Sequence, residues 1–207
     1  FAHGYFERQG DLYNAPGAGP LGLTATGGII SDYAIGPGDV YRAHIFTSSG
    51  ALNVTALGNF GDTLEYLVVG GGGGGGGYGG GGGGGGGFRT NKSGHPVVSP
   101  LGALTATVQP YAVVVGAGGA AGAATPGSGG DGTSGGNSEF YPPAHNSYPA
   151  TQFIRGAGGG KGSGWNRGTG VASPGGSGGG GGGENSSPSN NNPAGTAITD
   201  PNHPRVQ

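Results

Sequence analysis

The segment GAGGGKGSG sets Lys161 in a glycine-rich stretch, a setting that can cradle phosphate. A phosphate-binding P-loop needs Gly-Lys followed at once by Ser or Thr, and here Gly162 follows Lys161. G-x-G-x-x-G spacings recur from glycine content alone, and no helix follows them. His3, His44, His95, His145 and His203 stand apart, none at ligand spacing from another histidine or a carboxylate. The 10 acidic residues are scattered singly, with no acid/base pair. Ser128 sits in a glycine tract, not in the strand-to-helix turn that a nucleophile elbow requires. With no cysteine there is neither a thiolate metal site nor a disulfide framework. The expectation is a non-enzymatic chain with no metal and no cofactor.

One segment is chemically richer. NSEFYPPAHNSYPATQF, residues 137–153, sets Phe140, Tyr141, His145, Tyr148 and Phe153 among prolines. Rigid aromatic loops offer apolar area at low entropic cost and suit binding to a glycan or a protein. The single tryptophan, Trp165, follows with Asn166 and Arg167. Tyr141, His145, Tyr148, Phe153 and Trp165 are therefore the candidate receptor-binding residues. Their structural alternative is to cap a scaffold and pack on strands. Three Asn-x-Ser/Thr triplets, at Asn53, Asn91 and Asn185, fit the glycosylation pattern and matter only in a secreted eukaryotic protein.

The elements that position these residues alternate between strand and glycine. Tyr41, Ala43, Ile45 and Thr47 alternate with Arg42, His44, Phe46 and Ser48, a strand pattern. Ser48-Ser49-Gly50 suits a hairpin turn, after which Leu52, Val54 and Ala56 form one face of a return strand. LEYLVV, from Leu64, reads as a third strand and enters a glycine run directly. LTATVQPYAVVVGAGG and TQFIRGAGGGKGSG repeat the plan of apolar strand into glycine tract, a loose internal repeat. No window carries a helical apolar stripe free of Gly or Pro. The fold class expected is all-β, antiparallel and sandwich-like, with little or no helix. Its parts are a connector or edge segment over 1–39, strands over 40–69, a glycine-rich bundle over 70–183, and an Asn/Ser/Pro-rich loop over 184–207. That loop reads as continuing further, and the absence of methionine reads as a processed product or fragment.

The 207 residues hold 58 glycines and 15 prolines, a level that by itself signals low complexity. Residues 70–87, GGGGGGGGYGGGGGGGGG, are glycine except for Tyr78. Flexible linkers mix serine with glycine, and this run has none. It is anchored by Val69, Tyr78 and Phe88, and sibling tracts accompany it. The alternative to a tether is a bundle of threefold polyglycine-II helices with Gly70, Gly73, Gly76, Gly82 and Gly85 as structural positions. Such helices have three residues per turn and no internal hydrogen bonds, and as one rod the run would reach about 56 Å. Gly116, Gly119 and Gly122 keep that period, as do Gly129, Gly132 and Gly135, and Gly156, Gly159 and Gly162. Tyr78 is expected to point outward.

The stretch YRAHIFTSSGALNVTALGNFGDTLEYLVVGGGGGGGGYGGGGGGGGGFRT resembles the glycine-rich domain of tail-fibre and other virion-associated proteins of marine phages, notably cyanophages. The region around LVVGGGGGGGG is also similar to the glycine-rich domain of certain receptor tyrosine kinases. The resemblance runs over roughly residues 31–183. It implies a virion or extracellular location, a homo-oligomer (trimer, fibre or filament) and attachment to a host-surface glycan or protein. A self-assembling extracellular filament is the alternative. Charged residues are only 9% and net charge is −2, which argues against nucleic acid as a partner. The longest apolar runs are far too short for membrane insertion.

Overall fold

Period-two apolar alternation builds strands wherever one face can be buried. The computed structural model describes residues 2–9, 22–36, 39–59, 61–92, 104–142, 153–165, 171–183 and 193–198. These residues form strands and contain no helix. A three-stranded antiparallel sheet has the order β1-β4-β3, with β1 Ala2–Gln9, β3 Ile29–Gly36 and β4 Asp39–Phe46. A five-stranded antiparallel sheet has the order β14-β13-β10-β5-β2. Its members are β2 Thr24–Thr26, β5 Gly50–Ala56, β10 Pro110–Val114, β13 Ser138–Tyr141 and β14 Ile154–Gly156. Three two-stranded pairs complete the set: β6 Thr63–Leu64 with β9 Leu104–Thr105, β7 Leu67–Val69 with β8 Phe88–Thr90, and β11 Ala124–Thr125 with β12 Ser128–Gly129. The all-β, antiparallel expectation holds.

The core is small and aromatic. Tyr66, Tyr111 and Phe140 are fully buried with Leu23, Leu52, Val54, Leu64, Val68, Leu104, Val113 and Ile154. Tyr111 stacks on Phe140 at 5.6 Å between centroids. The segment read as a connector or edge, 1–39, carries β1, β2 and β3, all edge strands of their sheets, and also sends Leu23 and Ala25 into this core. LEYLVV divides into β6 and β7, which pair with different strands.

The hairpin expected at Ser48-Ser49-Gly50 is not formed, because β4 and β5 belong to different sheets. The chain turns a corner around the buried Phe46 ring. Positions where Gly27, Gly28 and Gly50 would carry a Cβ lie within 3.8 Å of that ring. Gly27 and Gly28 take φ of 113° and 66°, which lets β2 pass to β3 at the same corner.

The glycine tracts bond sideways to one another. Gly70, Gly73 and Gly76 donate their N–H groups to the carbonyls of Gly87, Gly84 and Gly81, at 2.8–2.9 Å. Gly71, Gly74 and Gly77 donate to Gly136, Thr133 and Gly130. The carbonyls of Gly72 and Gly75 accept from Gly119 and Gly122, and those of Gly71, Gly74 and Gly77 from Gly159, Gly162 and Trp165. Residues three apart thus face the same neighbour. Tract 156–165 bonds in turn to 80–87, 129–136 and 175–183. The shared neighbours describe two staggered rows: 116–123, 70–77 and 80–87 over 129–136, 156–165 and 175–183.

The run 70–87 is not a single rod. Tyr78 and Gly79 have φ of 49° and 77°, and Gly80 donates to the Gly77 carbonyl at 3.1 Å. Positive φ at both central residues makes a type I′ turn, so the run folds into two antiparallel tracts. Tyr78 is 46% exposed.

Close approach, not unusual φ, explains most of the glycine. A Cβ on Gly70, Gly73 or Gly76 would lie 2.0–2.1 Å from a neighbouring carbonyl oxygen. Gly82 meets nothing within 4 Å and Gly85 only the Ser177 hydroxyl at 3.6 Å, so these two expected structural positions are corrected. They lie on the outside of the second tract. Replacing Gly74, whose Cβ would sit 1.9 Å from the Ala120 carbonyl, with alanine forces tracts 70–77 and 116–123 apart. Gly74→Ala is expected to cost about 3 kcal/mol or more, whereas Gly82→Ala should be neutral or stabilising by about 0.5 kcal/mol. Calorimetric melting of both variants checks this, and equal melting temperatures would contradict the close-packed rows.

Candidate functional site

Strands β13 and β14 pair with Phe140 opposite Ile154 and Glu139 opposite Arg155. Alternation sends Phe140 and Ile154 into the core, so Glu139, Tyr141 and Arg155 project from the other face. There the Arg155 Nε donates to Glu139 Oε1 at 2.8 Å, and the Tyr141 hydroxyl donates to Glu139 Oε2. The Tyr141 and Phe153 rings meet at 5.3 Å with a tilt of 38°. The Arg155 guanidinium lies 4.3 Å above the Phe153 ring, a cation–π contact. The donation to Glu139, burial and the nearby carboxylate charge together raise the Tyr141 phenol above its ordinary 10.0.

Two of the five candidate residues, Tyr141 and Phe153, are therefore brought together. His145 and Tyr148 lie outside the described residues. Trp165, read as a neighbour of this loop, sits at the far end of tract 156–165. Its backbone N–H donates to the Gly77 carbonyl at 3.3 Å, and its ring lies against Gly79 and Gly183. The correction has a topological cause. Tracts meet strands β7, β8, β10, β13 and β14 at one end and turn back at the other, where Tyr78 and the Pro126-Gly127 turn also lie. Tyr141 and Phe153 belong to the strand end, and Trp165 belongs to the free end.

Glu139 and Arg155 were not singled out by spacing. The signal was present: opposite charges at outward positions of two consecutive strands.

The arrangement offers a small aromatic surface whose charges neutralise each other. It offers no poised base or nucleophile, because Glu139 is already held by two donors. Lys161 donates to Asp131 at 3.0 Å, and Asp131 also accepts from the Gly164 N–H at 2.9 Å. The phosphate-like stretch thus tethers one tract to the next. Buried His44 places Nδ1 2.7 Å from the Gly27 carbonyl, at the Phe46 corner. Among the described residues no group of three His, Cys, Asp or Glu could hold a metal.

A family model for the glycine-rich domain matches residues 47–202. The chain belongs to the glycine-rich domain family. No curated protein and no solved structure matches it. The glycine-rich domain so delimited starts after β4, so the sheet β1-β4-β3 lies before it, while the tracts and the Tyr141–Phe153 surface lie inside.

Two outcomes follow for these aromatics. Because the folded Tyr141 ionises above its unfolded value, its contribution to stability is fully present below pH 10 and is lost as pH rises through the folded value. Glu139→Gln should bring Tyr141 back toward ordinary phenol behaviour, read by NMR of ring-labelled tyrosine during alkaline titration. Tyr78→Gly should raise stability by about 1 kcal/mol, since a left-handed conformation burdens a residue with a Cβ; a fall in melting temperature would contradict it.

Proposed function

We propose that this glycine-rich domain is a non-enzymatic structural part of a phage tail fibre or similar virion appendage, located on the virion or outside the cell. In this reading the tracts are threefold polyglycine-II helices, and their bundle holds loops out for attachment to a host-surface glycan or protein. The observation that carries it is the sideways bonding of residues three apart, the repeat of a helix with three residues per turn. Such a bundle is rigid, and side chains are accommodated only at its ends and outer rim. That suits display and leaves little room for a catalytic cleft. The exposed Tyr141–Phe153 surface at one end and Tyr78 with Trp165 at the other are the places for recognition.

The second reading is a self-assembling extracellular filament that polymerises through strands and glycine helices. Fluorescently labelled protein incubated with candidate host bacteria separates the two. Saturable surface labelling, weakened at least tenfold by Tyr141→Ala with Phe153→Ala or by Trp165→Ala, is the expected outcome. Open-ended filaments in electron micrographs, with no cell labelling, would sink the attachment reading.

A further inference from the structure

The sheet β1-β4-β3 ends on β3, and no strand lies against its outer edge among the described residues. Residues 29–34 are exposed on both faces. Ile29 is 60%, Ile30 48% and Tyr33 37% exposed. The row of backbone donors and acceptors along such an edge is a template for another strand. Proteins blunt these edges with lysine or proline, and IISDYAIG contains neither. Its one charge, Asp32, is turned back across the sheet to Arg42 through two bonds of 2.8 and 2.9 Å. The edge is therefore eight residues long, apolar and electrically satisfied.

We propose that β3 pairs antiparallel with β3 of a second copy of this chain, about a two-fold axis at Ser31. The sequence is self-complementary in that register. With Ser31 opposite Ser31, Ile29 of each copy stands opposite Tyr33 of the other. Ile29, Ser31 and Tyr33 share one face, because side chains alternate along a strand. Aromatic residues opposite β-branched ones are among the stabilising cross-strand pairs. Each Asp32 stands opposite Ile30 of the other copy and keeps its own Arg42. Moving the axis to Asp32 would set two carboxylates face to face, which is destabilising. Moving it by half a residue would turn the face of Ile29 and Tyr33 to the side of Asp32 on the other copy.

An isologous contact of this kind closes on itself, so it joins two copies without propagating into a filament. It supplies one contact for the homo-oligomer that the family resemblance implies. It does not depend on host attachment, because self-association is measured without any receptor. The sheet lies before the matched family region, so the contact is made by residues outside that region.

Sedimentation velocity over a concentration series tests it. The wild-type chain should show a reversible dimer. Ile29→Lys and Tyr33→Asp, both at exposed positions that spare the fold, should each weaken it roughly tenfold or more. Mixing the two variants should restore association, because the new lysine of one copy then faces the new aspartate of the other. A monomer at every concentration, a dimer insensitive to both substitutions, or variants that fail to complement would each overturn the proposal.

Discussion

The structure depends on one steric fact: where two tracts meet, a backbone carbonyl of one occupies the place that a Cβ on the other would take. For Gly71, Gly73, Gly76 and Gly77 that place lies within 2.1 Å of a carbonyl oxygen. Without the Cβ, backbones approach closely enough for N–H groups to reach carbonyls of the next tract. Backbone groups that the tracts leave unpaired within themselves are then satisfied laterally. Tracts 70–77 and 156–165 each bond to four neighbours and form the middle of the rows. One large side chain at a contact position there would separate several pairs at once.

The same fact limits what chemistry the molecule can carry. Side chains appear on the tracts where a row faces outward. Ala117, Ala120, Ala121 and Ala123 are all exposed. Thr133, Ser134 and Ser177 stand at the rim, and the Ser134 and Ser173 hydroxyls meet at 2.8 Å. The fully buried Ser163 is one exception, and Asp131 and Lys161 are others, clipping adjacent tracts together from partly exposed positions. Among the described residues, aromatic side chains lie in the β core, on the outer face of β13–β14, on the β3–β4 ribbon, at Phe88 of β8 and at the free end. Large side chains are thereby pushed to the ends and edges.

Much of this was legible in the later tracts, where alanine, serine and threonine fill the permitted positions and expose the glycine period. Gly116, Gly119 and Gly122, and Gly129, Gly132 and Gly135, are positions where a Cβ would collide with a carbonyl. In 70–87 the period is invisible, because every position but one is glycine. Positions that the fold requires, such as Gly73, then look the same as those it leaves open, such as Gly82. The fold-back at Tyr78 was also hidden: it depends on φ, and tyrosine is not a residue whose type announces a positive value. The corner at Phe46 escaped for a related reason. Ser48-Ser49-Gly50 is compatible with a hairpin, and only the packing of Gly27, Gly28 and Gly50 around the ring decides otherwise. Trp165 was misplaced because sequence proximity to Phe153 conceals a tract running the full depth of the bundle.

A run of identical glycines carries almost no register information, and slippage is the natural failure of such segments. The strands supply what is missing. Val69 pairs with Phe88 in β7–β8, and the ladder continues without slip through Gly70 with Gly87, Gly73 with Gly84 and Gly76 with Gly81. Val114 pairs with Glu139 in β10–β13, and the same register runs through Ala117 with Gly136 and Ala123 with Gly130 to Thr125 with Ser128 at the tip. Ser138 pairs with Gly156, and that register reaches Gly129 with Trp165. These three pairs of tracts therefore inherit their alignment from apolar strands at their base. Val68, Phe140, Ile154 and Tyr111 do more than form a core: by fixing strand pairing at one end, they decide which glycines meet at the other. Tyr78 completes the arrangement. It interrupts the longest run where the inherited register calls for a turn, so the one residue in the run that is not glycine marks the point where the chain must reverse.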